Sequence, residues 1–245
     1  MDTDLEYKVA IVTGGAAGIG RASCLALAKK SAAVAVVDIQ IDQTEQIAAE
    51  IEARGGKAIA IQADVSQELE VENAVQQTKS AFGAIDILVN NAAVEILTPM
   101  LSVKVEDWDK VLNTNLRGAF LFTRAVLPEL VAQGGGSIVN IGSIDGMRGR
   151  AFGAAYAASK AALIAFTESL ADELAKFYIR ANIICPAGVN TAMWQVTHSK
   201  VDPLSVLQPE DVAEMVVFFA SDRSRSINGA TIEVLGPRLK EGTYL

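Results

Sequence analysis

Seven short runs rich in Val, Ile and Ala recur along the chain, and each is separated from the next by a stretch long enough for a helix. The runs at Lys8 to Val12, Val34 to Asp38, Ala58 to Gln62, Ile85 to Asn90, Ser137 to Ile141, Ala181 to Cys185 and Thr231 to Val234 read as strands. The intervening patterns predict helices over Gly18 to Lys30, Gln43 to Arg54, Glu68 to Phe82, Glu106 to Gln133, Ala154 to Lys176 and Pro209 to Ser221. Pro128 is expected to bend the fourth of these near its end. Strands joined by helix-length crossovers cannot pair as hairpins, so the expected fold is α/β: a doubly wound, seven-stranded parallel sheet with helices on both faces. No Pro/Ser-rich linker and no internal repeat interrupts residues 1–245, which read as a single domain.

The first crossover carries Thr13-Gly14-Gly15-Ala16-Ala17-Gly18-Ile19-Gly20 between a strand and a helix. Glycines there let the backbone turn tightly and approach a pyrophosphate, whose charge meets the amide groups and positive dipole of the helix start. That context points to a Rossmann dinucleotide site using Gly14, Gly18, Ile19 and Gly20. The second strand ends in Asp38, where a carboxylate can accept hydrogen bonds from ribose hydroxyls; an ordinary strand-end turn residue is the alternative. The same carboxylate repels a 2'-phosphate, and neither Ala16 nor Ala17 offers an offsetting cation. NAD is therefore the expected cofactor.

Tyr156 and Lys160 stand four residues apart in YAASK, on one face of the fifth helix. An ammonium beside a phenol favours phenolate and is expected to draw the tyrosine towards proton exchange near neutral pH. Alone, such a pair is as readily amphipathic decoration; the cofactor turn gives it weight. Ser143 follows the fifth strand, at the sheet edge where ligands of open α/β folds bind, although a Ser there is commonly a turn or cap residue. Oxidising an alcohol needs a base for the hydroxyl proton and an acceptor for hydride, which only the nicotinamide supplies.

In order, TGGAAGIG, Asp64-Val65, Asn90-Asn91-Ala92-Ala93, Asn115, Ser143, YAASK and NIICPAGVNT make the chain resemble the short-chain dehydrogenase/reductases over essentially its whole length. The resemblance implies an NAD-dependent oxidoreductase with Tyr156 as general acid/base, Lys160 holding the nicotinamide ribose, and Ser143 bonding the reacting oxygen. It further implies that Asn115 positions a water linking Lys160 to solvent, that Asp64 and Val65 meet the adenine, and that Asn91 lies beside the ribose. Val189 and Thr191 would meet the carboxamide, and the assembly would be a homotetramer. From the residues themselves, Asn115 equally reads as a buried polar group satisfying backbone, Asp64 as a cap for the helix after Ser66, and Asn90 and Asn91 as ties between strands. Ala93 and Ala187 stand where the family favours glycine, and the Ile232 to Pro237 run lacks its Asp-Gly-Gly. An alanine disfavours positive φ, so the loop after the fourth strand is expected to be reshaped. Met215 to Phe219 is an apolar helix stretch suited to core or to a subunit contact, with core the default.

A net charge of −8 with no extended basic cluster argues against nucleic acid. The two cysteines, Cys24 and Cys185, read as buried thiols in a reducing cytoplasm, and the lone His198 lacks partners at metal-ligand spacing, so no metal is expected. No apolar run is long enough to span a membrane, and MDTDLEYK is acidic where a signal peptide is basic. The substrate wall is expected from Val94 to Leu97, Ser143 to Arg150 and Met193 to Val206, with a compact secondary alcohol and its ketone as substrate pair. Glu95 and Asp145 could select a polar or cationic substrate, but loop carboxylates are usually just solvated. A silent NAD-sensing module, or an epimerase or lyase using the same tyrosine, are the rival functions.

Overall fold

The computed structural model describes residues 4–197 and 202–236. Its seven strands are β1 (Val9–Thr13), β2 (Ala33–Asp38), β3 (Lys57–Gln62), β4 (Ile87–Asn90), β5 (Gly136–Ile141), β6 (Ile179–Pro186) and β7 (Thr231–Val234). They form one parallel sheet in the order β3-β2-β1-β4-β5-β6-β7. Successive side chains point to opposite faces, so Ala10 and Val12 of β1 enter one core and Ile11 the other. The first core is closed by α1 (Gly18–Lys29), α2 (Ile41–Ala53) and α8 (Pro209–Ala220), through Leu27, Ile51 and Val216. The second is closed by α3 (Glu68–Phe82), α5 (Gly118–Gln133) and α6 (Ala154–Leu174), through Val75, Phe122 and Leu170. The doubly wound Rossmann architecture is therefore as expected.

Most element ends shift by one or two residues, and the departures include a new helix and a split one. β4 starts at Ile87; Asp86 just before it is tied to β1 both by its side chain, which accepts from Lys8 Nζ (3.0 Å) and Val9 N (2.9 Å), and by its backbone N–H, which donates to Val9 O (2.9 Å). α7 (Ala192–Thr197) was not signalled by the pattern. Most consequentially, the helix expected over Glu106 to Gln133 is two helices, α4 (Val105–Leu112) and α5, joined by a π-helical turn at Asn113–Arg117. Wider turns of this kind admit one extra residue and break the regular ladder. Here the extra turn holds Asn115, whose bonds outside the helix compensate for it, and brings Gly118 so close to Val65 that a Cβ would lie 2.7 Å from Cγ2. α5 runs unbroken through Pro128 and ends at Gly134, φ +75°.

Neither Ala93 nor Ala187 takes a positive φ, so these alanines cost no backbone strain. Val212, Val216, Val217 and Phe219 are buried in α8, making that apolar stretch core. Cys24 and Cys185 are both buried and free. No helix among the described residues is long and apolar enough to cross a membrane. His198 and Pro237 lie outside the described residues.

Because every strand is parallel, Thr13, Asp38, Asn90, Ile141 and Pro186 end at one edge of the sheet. Strand order reverses between β1 and β4, where the chain leaves towards opposite faces and opens a crevice.

Candidate active site

The crevice is a cavity of about 640 Å³. Gly14, Gly18 and Ile19 from the β1–α1 turn, Asp38 from β2, and Asp64 and Val65 after β3 line one end. Asn91, Ser143, Tyr156, Lys160, Val189 and Thr191 line the remainder. Gly20 and Asn115 stand behind this surface.

The glycine turn is shaped by close approach. Gly14 (φ +65°) and Gly18 (φ +52°) occupy left-handed conformations. A Cβ on Gly20 would lie 2.0 Å from the Gly14 carbonyl oxygen and 2.5 Å from Asn91 Nδ2. Asn91 is the anchor: its Nδ2 donates to the carbonyl oxygens of Thr13 (2.9 Å) and Gly14 (3.0 Å), while its backbone N–H donates to Thr13 Oγ1 (3.0 Å). Its tying role is thus present, at the edge of the cavity. Thr13, which the sequence reading missed, also accepts from Ala92 N (3.1 Å) and so joins the two strands on either side of the crevice.

Asp38 accepts from Ala16 N (3.2 Å) through Oδ2 and from Gln40 N (3.1 Å) through Oδ1, which fixes the carboxylate against the turn. Asp64 accepts from Ser66 N (2.9 Å) and Ser66 Oγ (2.8 Å), a local turn ahead of α3 and not the helix cap that its position suggested, since α3 has Gln67 as its N-cap; Asp64 still faces the cavity. Val65 is buried against Gly118. Thr191 lies across from Gly18, where a Cβ would meet its Cγ2 at 3.0 Å, and its hydroxyl accepts from Trp194 N (3.3 Å) at the start of α7. Val189 is buried and bridges in parallel to Leu207. The positive-φ glycines, the space that added Cβ atoms would fill and the Asp38 carboxylate fixed at the end of β2 against the turn together suit a nicotinamide dinucleotide.

At the other end, Lys160 is 2% exposed and donates from Nζ to Ile141 O (2.7 Å), with Nζ 5.7 Å from the Tyr156 ring centre. Burial brings its ammonium down to about 8. Tyr156 behaves otherwise than its spacing from a lysine suggested. Burial pushes the phenol above its usual range, Glu95 adds to this, the Ser143 hydroxyl opposes it by hydrogen bonding, Asp145 adds again, and Arg150 opposes. The lysine turns its charge to a carbonyl rather than to the phenol, so protein charges alone do not favour phenolate. Ser143 Oγ also accepts from Asp145 N (3.1 Å), capping the turn at Ile144–Gly146.

Asn115 is buried and its amide is committed. Its Oδ1 accepts from Val94 N (2.8 Å), and its Nδ2 donates to Val94 O (3.0 Å) and Ser159 Oγ (3.0 Å). Ser159 Oγ in turn donates to Tyr156 O (2.7 Å). The Asn115 side chain thereby locks the loop after β4 to the helix that carries Tyr156. Asn115→Ala leaves both Val94 groups without these partners and is expected to lower unfolding free energy by about 2 to 3 kcal/mol, measured by urea denaturation.

The second feature the sequence reading missed is ionic. Arg150 Nε donates to Asp145 Oδ2 (2.6 Å), and Arg150 Nη2 pairs with Glu95. The two carboxylates expected to be solvated are instead bridged by one guanidinium on the cavity wall. Opposite charges following two neighbouring strands were the only available signal. Trp194 and Met193 also line this end.

A dinucleotide-type α/β fold with a tyrosine, a lysine and a serine gathered at the same sheet edge defines a nicotinamide-dependent oxidoreductase. The sequence model described as short chain dehydrogenase matches residues 8–202, and the chain belongs to that family. It is 40% identical over 241 residues to a 3-oxoacyl-[acyl-carrier-protein] reductase of Synechocystis sp., covering 96% of this chain and 98% of the relative. A Thermotoga maritima protein of the same name is 35% identical over 240 residues, covering 95% and 98%. Among solved structures, 3-ketoacyl-(acyl-carrier-protein) reductase from Brucella melitensis complexed with NADH superposes with a TM-score of 0.90 at 34% identity, covering 96% of this chain and 99% of that one.

Proposed function

We propose that the protein interconverts a secondary alcohol and its ketone with NAD(H), in the cytoplasm and as a homotetramer. The observation that carries this reading is the convergence of Tyr156, Ser143 and Lys160 on the cavity that the glycine turn and Asp38 also line. Gly14, Gly18, Asp38, Asp64 and Thr191 would hold the cofactor, with Val65, Ile19 and Val189 packing around it. When bound, the nicotinamide exchanges hydride with the carbinol carbon. Tyr156 Oη takes the hydroxyl proton in oxidation and returns it in reduction, Ser143 Oγ hydrogen-bonds the reacting oxygen, and Lys160 supplies a buried positive charge beneath the phenol. Asn115 holds this constellation through Val94 and Ser159. The relatives' names favour one subclass of ketone, the 3-oxoacyl group, as a second substrate reading.

Cofactor choice rests on Asp38. No cation adjoins it at Ala16, Ala17, Ile39 or Gln40, so a 2'-phosphate would meet an uncompensated carboxylate. NADH is expected to bind more tightly than NADPH by roughly tenfold or more, about 1.4 kcal/mol, and Asp38→Ser to narrow that gap. Fluorescence titration with both cofactors measures it; a tighter NADPH complex would overturn the NAD assignment. A screen of secondary alcohols, ketones and 3-oxoacyl thioesters with both cofactors, followed at the nicotinamide absorbance, tests the activity itself. No turnover across that panel, with NADH bound normally, would favour the sensing module instead.

A further inference from the structure

Arg150 belongs neither to the cofactor cradle nor to the reacting trio, yet among the described residues it is the cation that bonds both carboxylates on the substrate wall. Glu95 comes from the loop after β4, and only 8% of its side chain is exposed; Asp145 comes from the turn after β5, two residues beyond Ser143. Arg150 approaches from the segment leading into α6 and bonds both. The same two loops are joined again where Thr98 N donates to Phe152 O (2.9 Å). Two negative charges and one positive charge therefore meet in a partly desolvated corner, within range of the Tyr156 phenol. Charge in such a corner acts far more strongly than on an open surface.

We propose that Arg150 is a positioning residue for the reaction, clamping Glu95 to Asp145 across the substrate end of the cleft so that neither carboxylate charge bears unopposed on Tyr156. Lys160 from its own helix and Ser143 from the turn after β5 also adjoin Tyr156, and Lys110 of α4 lines the same cavity. Lys160 is engaged with Ile141 O, and Ser143 is neutral, which leaves Arg150 as the cation bonded to both carboxylates.

This inference rests on the proposed acid/base role of Tyr156, and its signs are specific. In alcohol oxidation the acid limb of the kcat/KM against pH profile reports the group that must lose its proton. Removing the guanidinium exposes the phenol to two carboxylates, so Arg150→Met is expected to move that limb up by about one pH unit or more. Arg150→Lys keeps the charge and is expected to recover most of the shift. Glu95→Gln removes one of the two carboxylates and is expected to move the limb the opposite way. A merely structural clamp would lower kcat in both Arg150→Met and Glu95→Gln without opposite displacements, and that outcome, or an unmoved limb in Arg150→Met, overturns the proposal. NADH titration of each variant checks that the fold and cradle are intact. Should Arg150→Met fail to fold, Arg150→Gln takes its place, with the same upward shift expected and an unmoved limb overturning the proposal. If the wild-type protein shows no turnover, that result counts against the proposed function. The clamp is then read from the ultraviolet absorbance of tyrosinate with NAD present, each variant minus its Tyr156→Phe counterpart, with the same order of shifts expected and equal shifts overturning it.

Discussion

Tyr156→Phe is expected to abolish turnover, by about 10³-fold or more in kcat, while leaving NADH affinity unchanged. The substitution removes one oxygen and keeps the ring that lies near Lys160. The Lys160 bond to Ile141 O, the Asn115 bonds to Val94 and Ser159, and the glycine turn make no use of the phenol oxygen. A loss confined to kcat is thus the signature of an interaction made only in the transition state. The fall should appear in both directions, since the same oxygen takes the proton in oxidation and gives it in reduction. Steady-state kinetics with fluorescence titration of NADH separates the two quantities. Retained turnover would remove Tyr156 from the chemistry, and lost affinity would show that the phenol holds the cofactor rather than the proton.

The second large effect is expected at Gly20. Inside an exposed helix, alanine is more favourable than glycine by about 1 kcal/mol, so propensity alone predicts a gain for Gly20→Ala in α1. The local packing reverses the sign. The new Cβ would be placed 2.0 Å from the Gly14 oxygen and 2.5 Å from Asn91 Nδ2, and the first obstacle is backbone that cannot rotate away. Relief requires α1 to move off the turn or the turn to open, and either motion breaks the Asn91 bonds to Thr13 and Gly14. A destabilisation of about 1 to 3 kcal/mol is expected from overpacking of this kind. NADH affinity should fall by two orders of magnitude or so, because the turn would lose the close backbone approach that the pyrophosphate needs. Thermal unfolding with and without NADH tests both parts. A variant as stable as the parent and with unchanged affinity would show that the turn is not the cradle.

The strands were legible because each is a short apolar run rich in Val, Ile or Ala, and the central ones, β1, β4 and β5, are buried almost throughout. The glycine turn and Tyr156–Lys160 were legible because their spacing is itself the chemistry. The π turn was not. An amphipathic pattern through Glu106 to Gln133 reads as one helix, and the extra residue at Asn113–Arg117 is explained only by the Val94 backbone, which is remote in sequence. Arg150 was hidden for the same reason, since both of its partners lie on other loops. The direction of the Tyr156 shift was misread because spacing places Lys160 near the ring but shows neither the burial that pushes the phenol up nor that the ammonium points to Ile141 O. Contacts between distant segments, not local preferences, decide each of these.

The strand order also sets a sequence of events for the chain as it folds. β1, β2 and β3 are neighbours through short crossovers and β4 to β7 through longer ones, while β1 meets β4 across all of the segments between them. Pairings of long sequence separation form slowly because loop closure must precede the contacts that reward it. Asp38 and the glycines belong to the first group, whereas Ser143, Tyr156 and Lys160 belong to the second. The adenosine end of the cleft and the reacting end thus come from different halves of the sheet, which meet at the β1–β4 pairing. A dinucleotide that spans the seam favours the joined state by mass action, so the ligand acts as a rivet between two halves as well as a reactant.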